Sequence, residues 1–286
     1  QGLSLMQESL AEICFAQVPL VVLNMARGQG DYFQATRGGG HGDYQHIVLA
    51  PSTVPEAVEL IQLAFHLSDV WRNPVMFMGD YYLAHVNEAV DVSPIDFGPV
   101  PEKDWALRGT TSGTGDANIV SQVFPVKRDA DEWVTYGQWL EAMAPRIEAM
   151  KAGVEPRAET TYLDGAEHVV VAYGTAGRFV KYAVHLLREE GVPVGFVRPI
   201  TLWPFPDEVV RQAGEAAGSM SVYELNSGQM IQDVRLAAPR VPVEFIGGIS
   251  YDEAGFGIAP EMKVGKIVEK IRAQMDRAQS EGSLSR

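Results

Sequence analysis

Cysteine is almost missing from this chain, with Cys14 the one thiol in 286 residues. One thiol cannot close a disulfide within the chain, nor supply the four thiolates of an iron–sulfur cluster, so any such cluster must be carried by another chain. Long apolar runs are missing too: no stretch approaches the roughly 18 apolar residues of a membrane helix. No basic segment leads into an apolar one near the start, so neither a span nor a signal peptide is read and a cytoplasmic location is expected. Clustered cations are the third absence. The net charge is −14 and no run of Lys or Arg occurs, which speaks against nucleic acid or an anionic membrane, whose phosphates require grouped positive charge. An acidic substrate needs arginines placed locally. No internal repeat of about 20 to 50 residues is found. The chain also lacks the G-x-G-x-x-G and G-x-x-x-x-G-K-[ST] spacings, which removes the dinucleotide and phosphate-loop readings. The six histidines fall into no ligand spacing such as H-E-x-x-H, so no metal site is expected in this chain.

What is present is 46% hydrophobic content, enough for real cores, arranged in an alternating rhythm. A helical pattern over 3–16 carries Leu3, Met6, Leu10, Ile13 and Cys14 on one face. The sequence enters this pattern almost at once and begins with Gln1, so residues upstream are expected. "LVVLNM" (20–25) reads as a buried parallel strand, "HIVLA" (46–50) as a second strand and "PVMFMGD" (74–80) as a third. Thr53 and Glu56 form a capping box ahead of a helix that stops at Asn73-Pro74. From Tyr81 to Pro125 no period is sustained, and "GTGDAN" (113–118) reads as turn chemistry. A polar helix is expected over about 130–151. From Glu167 strands and helices alternate regularly: "HVVVAYG", a helix over 176–190, "VPVGFVRP", a helix over 206–217, "SMSVYEL", a helix over 228–238, "VPVEFIG" and a helix over 260–276, with a frayed tail "RAQSEGSLSR". The fold class is α/β with two doubly wound parallel-sheet domains. The organisation expected is 1–80 as part of a first domain, 81–160 as an excursion with one helix, and 161–286 as a second domain.

Candidate site residues cluster where strands end. Arg27 closes the first strand, and open α/β sheets bind ligands at strand carboxyl ends. Its guanidinium either grips a substrate carboxylate through two N–H groups or pairs with a surface carboxylate. The run Gly38, Gly39, Gly40, His41, Gly42, Asp43 is either a flexible loop or a place where a ligand or a neighbouring subunit approaches the backbone closely. His41 and Asp43 suit acid–base chemistry or, more readily, the ordering of a loop against a cofactor. "VAYGTAGR" (171–178) sets Thr175 at a strand-to-helix turn, and "ELNSGQM" (224–230) sets Glu224, Asn226 and Gln229 at another strand end. These loops serve either as helix caps or as an interface or ligand site.

Together "QGLSLMQESLAEICFAQVPLVVLNMARG", "QGDYFQATRGGGHGDYQHIVLAPSTVPEAVEL", "RNPVMFMGD", "VRPITLWPFP" and "ELNSGQM" resemble the α subunits of the 2-oxoacid:ferredoxin (acceptor) oxidoreductases, in the 2-oxoglutarate and branched-chain 2-oxoacid branch. The resemblance runs from residue 1 to about 275 and thins over 81–160. It implies that 1–80 is the C-terminal part of a pyrimidine-type thiamine diphosphate domain and that 161–286 is like the transketolase C-terminal domain. The implied reaction is oxidative decarboxylation of a 2-oxoacid, 2-oxoglutarate first, to acyl-CoA and CO2, with electrons passed to ferredoxin or another acceptor. By resemblance Arg27 holds the substrate carboxylate; a 2-oxoglutarate site needs a further cation for the second carboxylate, from Arg37 or a partner residue, whereas an aromatic or branched 2-oxoacid needs an apolar pocket. Gly39, Gly40, His41, Gly42 and Asp43 then lie near the cofactor or a neighbouring subunit. The implied cofactors are thiamine diphosphate with Mg2+, shared with a β subunit, coenzyme A as co-substrate, and [4Fe-4S] clusters in a γ or ferredoxin-like partner, in a dimer of hetero-oligomers. Two departures stand out. The family carries about ten more Gly- and Pro-rich residues where Gly28 here abuts Gln29, and its cofactor-activating glutamate has no match in this sequence. No catalytic residue is therefore named, and the chain alone is expected to be inactive. The alternatives are a non-catalytic structural subunit and a cluster-free thiamine enzyme of the decarboxylase or transketolase type.

Overall fold

The structure, a computed structural model, describes residues 2–38, 42–103, 125–127, 133–248 and 262–284. In chain order the elements are α1 (Gly2–Phe15), β1 (Leu20–Ala26), α2 (Tyr32–Thr36), β2 (Ile47–Leu49), α3 (Val54–Trp71), β3 (Pro74–Asp80), α4 (Tyr81–His85), β4 (Val126–Lys127), β5 (Trp133–Val134), α5 (Tyr136–Gly153), β6 (Ala158–Thr161), β7 (His168–Val171), α6 (Gly174–Glu189), β8 (Val194–Pro199), β9 (Thr201–Trp203), α7 (Asp207–Ala217), β10 (Met220–Val222), α8 (Met230–Ala237), β11 (Val243–Phe245) and α9 (Val264–Leu284). They build two main sheets, ordered β1-β3-β2-β9 and β11-β10-β7-β8-β6. The α/β architecture expected from the sequence is the one observed.

Burial explains the layering. Every residue of β3 is buried, and the side chains alternate: Val75 and Phe77 join the core under α3, whereas Met76 and Met78 face the opposite way. That opposite face, with Val48, Tyr32 and Ala35, forms one continuous core with Val169, Val171, Val222 and Val234 of the second sheet and its helix α8. The other face of the second sheet packs Val170 and Phe196 against Val180, Val184 and Leu187 of α6 and Ile267 and Ile271 of α9. The two sheets are therefore joined through a shared apolar layer rather than tethered by a strap.

Several expectations need correction. Among the described residues β1 is an edge strand, paired along its length to β3, and Leu23 and Met25, on the same face as Phe77, are 60% and 42% exposed. Apolar content specifies that a strand forms, but its position in the sheet is a matter of pairing. Strand β9 leaves the proline-rich stretch after β8 and pairs antiparallel with β2, matching Val48 with Trp203 and Leu49 with Thr201. β6 likewise pairs antiparallel with β8. β9 is too short and β6 too polar to show in the sequence pattern. Within the stretch 81–125 the single-turn helix α4 forms at once, because the Asp80 side chain accepts the Leu83 N–H. α5 begins six residues later than expected, at a Thr135–Gln138 capping box. Ahead of α3 only half a box forms: Thr53 accepts the Glu56 N–H, while the Glu56 carboxylate turns to Ser52. α9 runs through Leu284, so most of the tail expected to fray is helical. The segment "GTGDAN" lies outside the described residues. No helix among the described residues is long and apolar enough to cross a membrane.

Candidate active site at the junction of the sheets

The carboxyl ends of the two sheets meet. Gly174 marks the meeting point: its φ of +58° favours glycine, and a Cβ there would stand 3.7 Å from the Gln29 amide, 3.9 Å from the Pro51 carbonyl and 4.0 Å from the Asp80 carboxylate. Those three neighbours follow or end β1, β2 and β3. Thr175 donates its hydroxyl to Asp80 at 2.9 Å. Burial pushes the Asp80 carboxyl upward, and hydrogen bonds from the Leu83 N–H and the Thr175 hydroxyl oppose that rise. Beside this contact lies a mostly apolar cavity of about 280 Å³, bordered by Tyr82, Leu83, Val86 and Phe179 with Arg178 among its walls.

A second group of contacts fixes the loop after β1. The Gln29 carboxamide is buried, donating to the Tyr173 carbonyl at 3.0 Å and accepting from the Leu225 N–H at 2.8 Å. Its backbone carbonyl accepts the Asn226 amide at 2.9 Å and the Tyr173 hydroxyl at 3.4 Å. Asn226 also donates to Glu224 and accepts from the Gly228 N–H. Glu224 is fully buried and accepts the Met230 and Ile231 N–H groups that open α8. Burial raises its carboxyl against those hydrogen bonds. Gln229 donates to the Gly30 carbonyl and accepts the Phe33 N–H.

Thr175, Asn226 and Gln229 come together as an interface within the chain, each bonded to the first sheet's loops or helices. Arg37 caps α2 and pairs with Asp233 at 2.6 Å, with its guanidinium over the Phe33 ring. Asp233 also accepts the Tyr32 hydroxyl at 2.6 Å. Arg27 differs from Arg37: it is exposed at the β1 end and makes no hydrogen bond or ion pair to any described residue. Gly42 and Asp43 both adopt left-handed backbone, with φ of 76° and 54°. Gly39, Gly40 and His41 lie outside the described residues. Gln29 and Asp80 are site residues that do not stand out in the sequence. An acid closing a buried strand was the available signal for Asp80, but a lone glutamine among glycines offered none.

Residues 1–155 match the family described as "Pyruvate flavodoxin/ferredoxin oxidoreductase, thiamine diP-bdg" and residues 166–255 match "Pyruvate:ferredoxin oxidoreductase core domain II". The chain belongs to the 2-oxoacid:ferredoxin oxidoreductases. Among this family it is 36% identical over 281 residues to the ketoisovalerate oxidoreductase subunit VorB of Methanothermobacter thermautotrophicus, covering 95% of this chain and 75% of that one. It is 33% identical over 279 residues to the 2-oxoglutarate synthase subunit KorA of the same organism, covering 86% and 73%. Among solved structures, the 2-oxoglutarate:ferredoxin oxidoreductase of Magnetococcus marinus, seen with 2-oxoglutarate, coenzyme A and succinyl-CoA, superposes with a TM-score of 0.74 at 22% identity. That match covers 95% of this chain and 51% of the other, so the chain spans about half the length of that solved relative. An inactive split-gene transketolase tetramer shares the fold more distantly, with a TM-score of 0.54 at 13% identity. The family's thiamine diphosphate-binding domain thus contains β1, β2, β3 and the Arg27 loop.

Proposed function

We propose that this chain is the α-type subunit of a coenzyme A-dependent 2-oxoacid oxidoreductase, which converts a 2-oxoacid to acyl-CoA and CO2 and passes the electrons to ferredoxin or another acceptor. The observation that carries this reading is Arg27, an unengaged guanidinium at the carboxyl end of a strand in the family's thiamine diphosphate domain. Two of its N–H groups match the two oxygens of a carboxylate. Because that carboxylate leaves as CO2, the contact orients the bond to be broken, and its strength is spent on binding rather than on the cleavage step. Thiamine diphosphate, when bound, supplies the carbon nucleophile and electron sink the reaction needs.

Arg27 supports the substrate side of such a site. No group of three His, Cys, Asp or Glu among the described residues is placed to hold a metal ion. We assign Mg2+ and the diphosphate to a β subunit, and the [4Fe-4S] clusters to a γ or ferredoxin-like subunit, within a dimer of hetero-oligomers, as the family resemblance implies. The division proposed is 1–80 for the thiamine-type unit, 81–160 for the excursion and 161–286 for the transketolase-like unit. For 2-oxoglutarate the second carboxylate needs a further cation. Arg37 is bound to Asp233, which favours either an acid with an apolar side chain, such as 2-oxoisovalerate, or a cation donated by a partner.

The test is anaerobic reduction of a viologen dye by the co-purified complex, with coenzyme A and pyruvate, 2-oxoglutarate, 2-oxoisovalerate or phenylglyoxylate. One acid should dominate, and Arg27→Ala should raise its KM roughly a hundredfold, the scale of a lost charge-assisted pair. Arg37→Ala should leave the ratio of 2-oxoglutarate to 2-oxoisovalerate activity unchanged. Inactivity with every acid in a complex that contains thiamine diphosphate and iron would overturn the proposal in favour of a structural subunit. Activity in a complex without iron would favour the cluster-free thiamine enzyme.

A further inference from the structure

The buried carboxamide of Gln29 occupies a defined place in the second sheet's hydrogen-bond ladder. Strands β7 and β10 pair in parallel through Val171 and Val222, and the Tyr223 N–H donates to the Val171 carbonyl at 2.9 Å. In a parallel ladder the next bond of this kind joins residues two further along each strand, the Leu225 N–H to the Tyr173 carbonyl. That bond is replaced. Leu225 N–H donates instead to Gln29 Oε1 at 2.8 Å, and Tyr173 accepts from Gln29 Nε2 at 3.0 Å. The glutamine side chain therefore stands in for a peptide group at the point where the two strands splay apart, satisfying both orphaned groups. The Gln29 backbone adds a bond to the Leu225 carbonyl at 3.4 Å, and Asn226 and Tyr173 hold its own carbonyl.

Arg27 lies two residues before this clamp, with Gly28 between. We infer that Gln29 is the positioning residue for Arg27: it inserts into the second sheet's ladder and so sets the direction in which the substrate-binding guanidinium leaves the end of β1. The inference rests on the proposed role of Arg27. A glutamine is suited to the task because its amide offers one donor and one acceptor in a plane, as a peptide does. Asparagine is one methylene too short to reach both groups, and methionine matches the length but supplies no strong donor or acceptor.

The experiment is a double-mutant cycle in the intact complex, using Arg27→Ala, Gln29→Met, Gln29→Asn and each Gln29 variant combined with Arg27→Ala. KM and kcat are measured with the preferred 2-oxoacid, and amide hydrogen exchange is followed at Leu225 and across residues 26–33. Displacement of a binding group by about 1 Å can cost up to roughly a hundredfold. Gln29→Met should therefore raise KM at least tenfold while kcat falls less, and should speed exchange at Leu225. In the Arg27→Ala background the same change should add nothing, because the group it positions is gone. An unchanged KM in both Gln29 variants, or an equal rise with and without Arg27, overturns the positioning role while leaving the Arg27 reading intact. An unchanged KM in Arg27→Ala overturns that reading and this inference with it. Complexes in which Gln29→Met fails to assemble are replaced by Gln29→Asn, whose retained amide keeps one of the two bonds.

Discussion

Arg198 on β8 holds the two sheets together through an ion cluster whose loss can be sized from the structure. Its guanidinium binds Glu56 of α3 at 2.7 and 3.0 Å and Glu159 of β6 at 2.7 Å. The Arg198 side chain is 6% exposed, against 16% for Glu56 and 27% for Glu159. Its stem lies over α6, where a Cβ on Gly177 would come within 2.8 Å of Arg198 Cδ. Arg198→Met keeps most of the stem and removes the charge. Breaking a wholly buried pair costs about 3–5 kcal/mol because the partner is left uncompensated. Here Glu56 retains the Ser52 N–H and hydroxyl, Glu159 retains Lys181, and both carboxylates reach some water. The cost therefore falls to about 2–3 kcal/mol. For a chain of this size about 2 °C is lost per kcal/mol, so the melting midpoint of the purified complex should drop by about 4–6 °C. Calorimetry measures it. Glu56→Gln combined with Arg198→Met should cost clearly less than the sum of the single changes, since both remove the same contact. A drop under about 1 °C, or strict additivity, would refute the reasoning.

Two further outcomes follow from the second sheet. The His168 ring sits between the Ser219 and Ser221 hydroxyls, at 2.9 and 2.8 Å, and burial lowers its pKa from 6.5 to about 4. The unfolded chain takes up this proton near pH 6.5 and the folded chain only near 4, so stability is full above about 6.5 and declines as the pH falls between the two, by about 3 kcal/mol in all. Urea midpoints at pH 7.5 and 4.5 should differ less in His168→Gln than in the parent, and equal differences would show that the ring is not held neutral. At Gly247 a Cβ would stand 2.2 Å from the Glu224 carbonyl oxygen and 2.6 Å from its nitrogen. Because both are backbone atoms, Gly247→Ala should cost about 2–3 kcal/mol, and an unaltered melting midpoint would count against the packing at the start of α8.

The legible part of the fold rests on periodicity. β3, β7 and β8 are almost unbroken apolar segments, and their burial on both faces leaves little freedom in assignment. α6 repeats apolar residues at helical spacing from Ala176 to Leu187. The segments missed were short or polar: β6 reads Ala-Glu-Thr-Thr, and β9 has three residues. Their strand character comes from a neighbour's unpaired edge, which no local pattern contains. The site divides in the same way. The place of Arg27 just past the end of β1 was legible because it follows an apolar run, a position with chemical meaning in an open sheet. Arg37, equally polar and nearby, had no local sign that Asp233, nearly two hundred residues later, would engage it.

By itself the sequence determined the class of architecture, the strand ends at which polar residues gather, and the absence of thiolates for a cluster in this chain. These follow from composition and from spacing along one segment at a time. It took the folded chain to place β1 at an edge and to add β9 to the first sheet, among the described residues, and to set Gln29 into a gap in the second sheet's ladder. Each of these depends on where two distant backbones leave a hydrogen-bonding group unmet. Such a vacancy exists only once both strands are in place, so its solution, a single glutamine among glycines, carries no mark in the sequence.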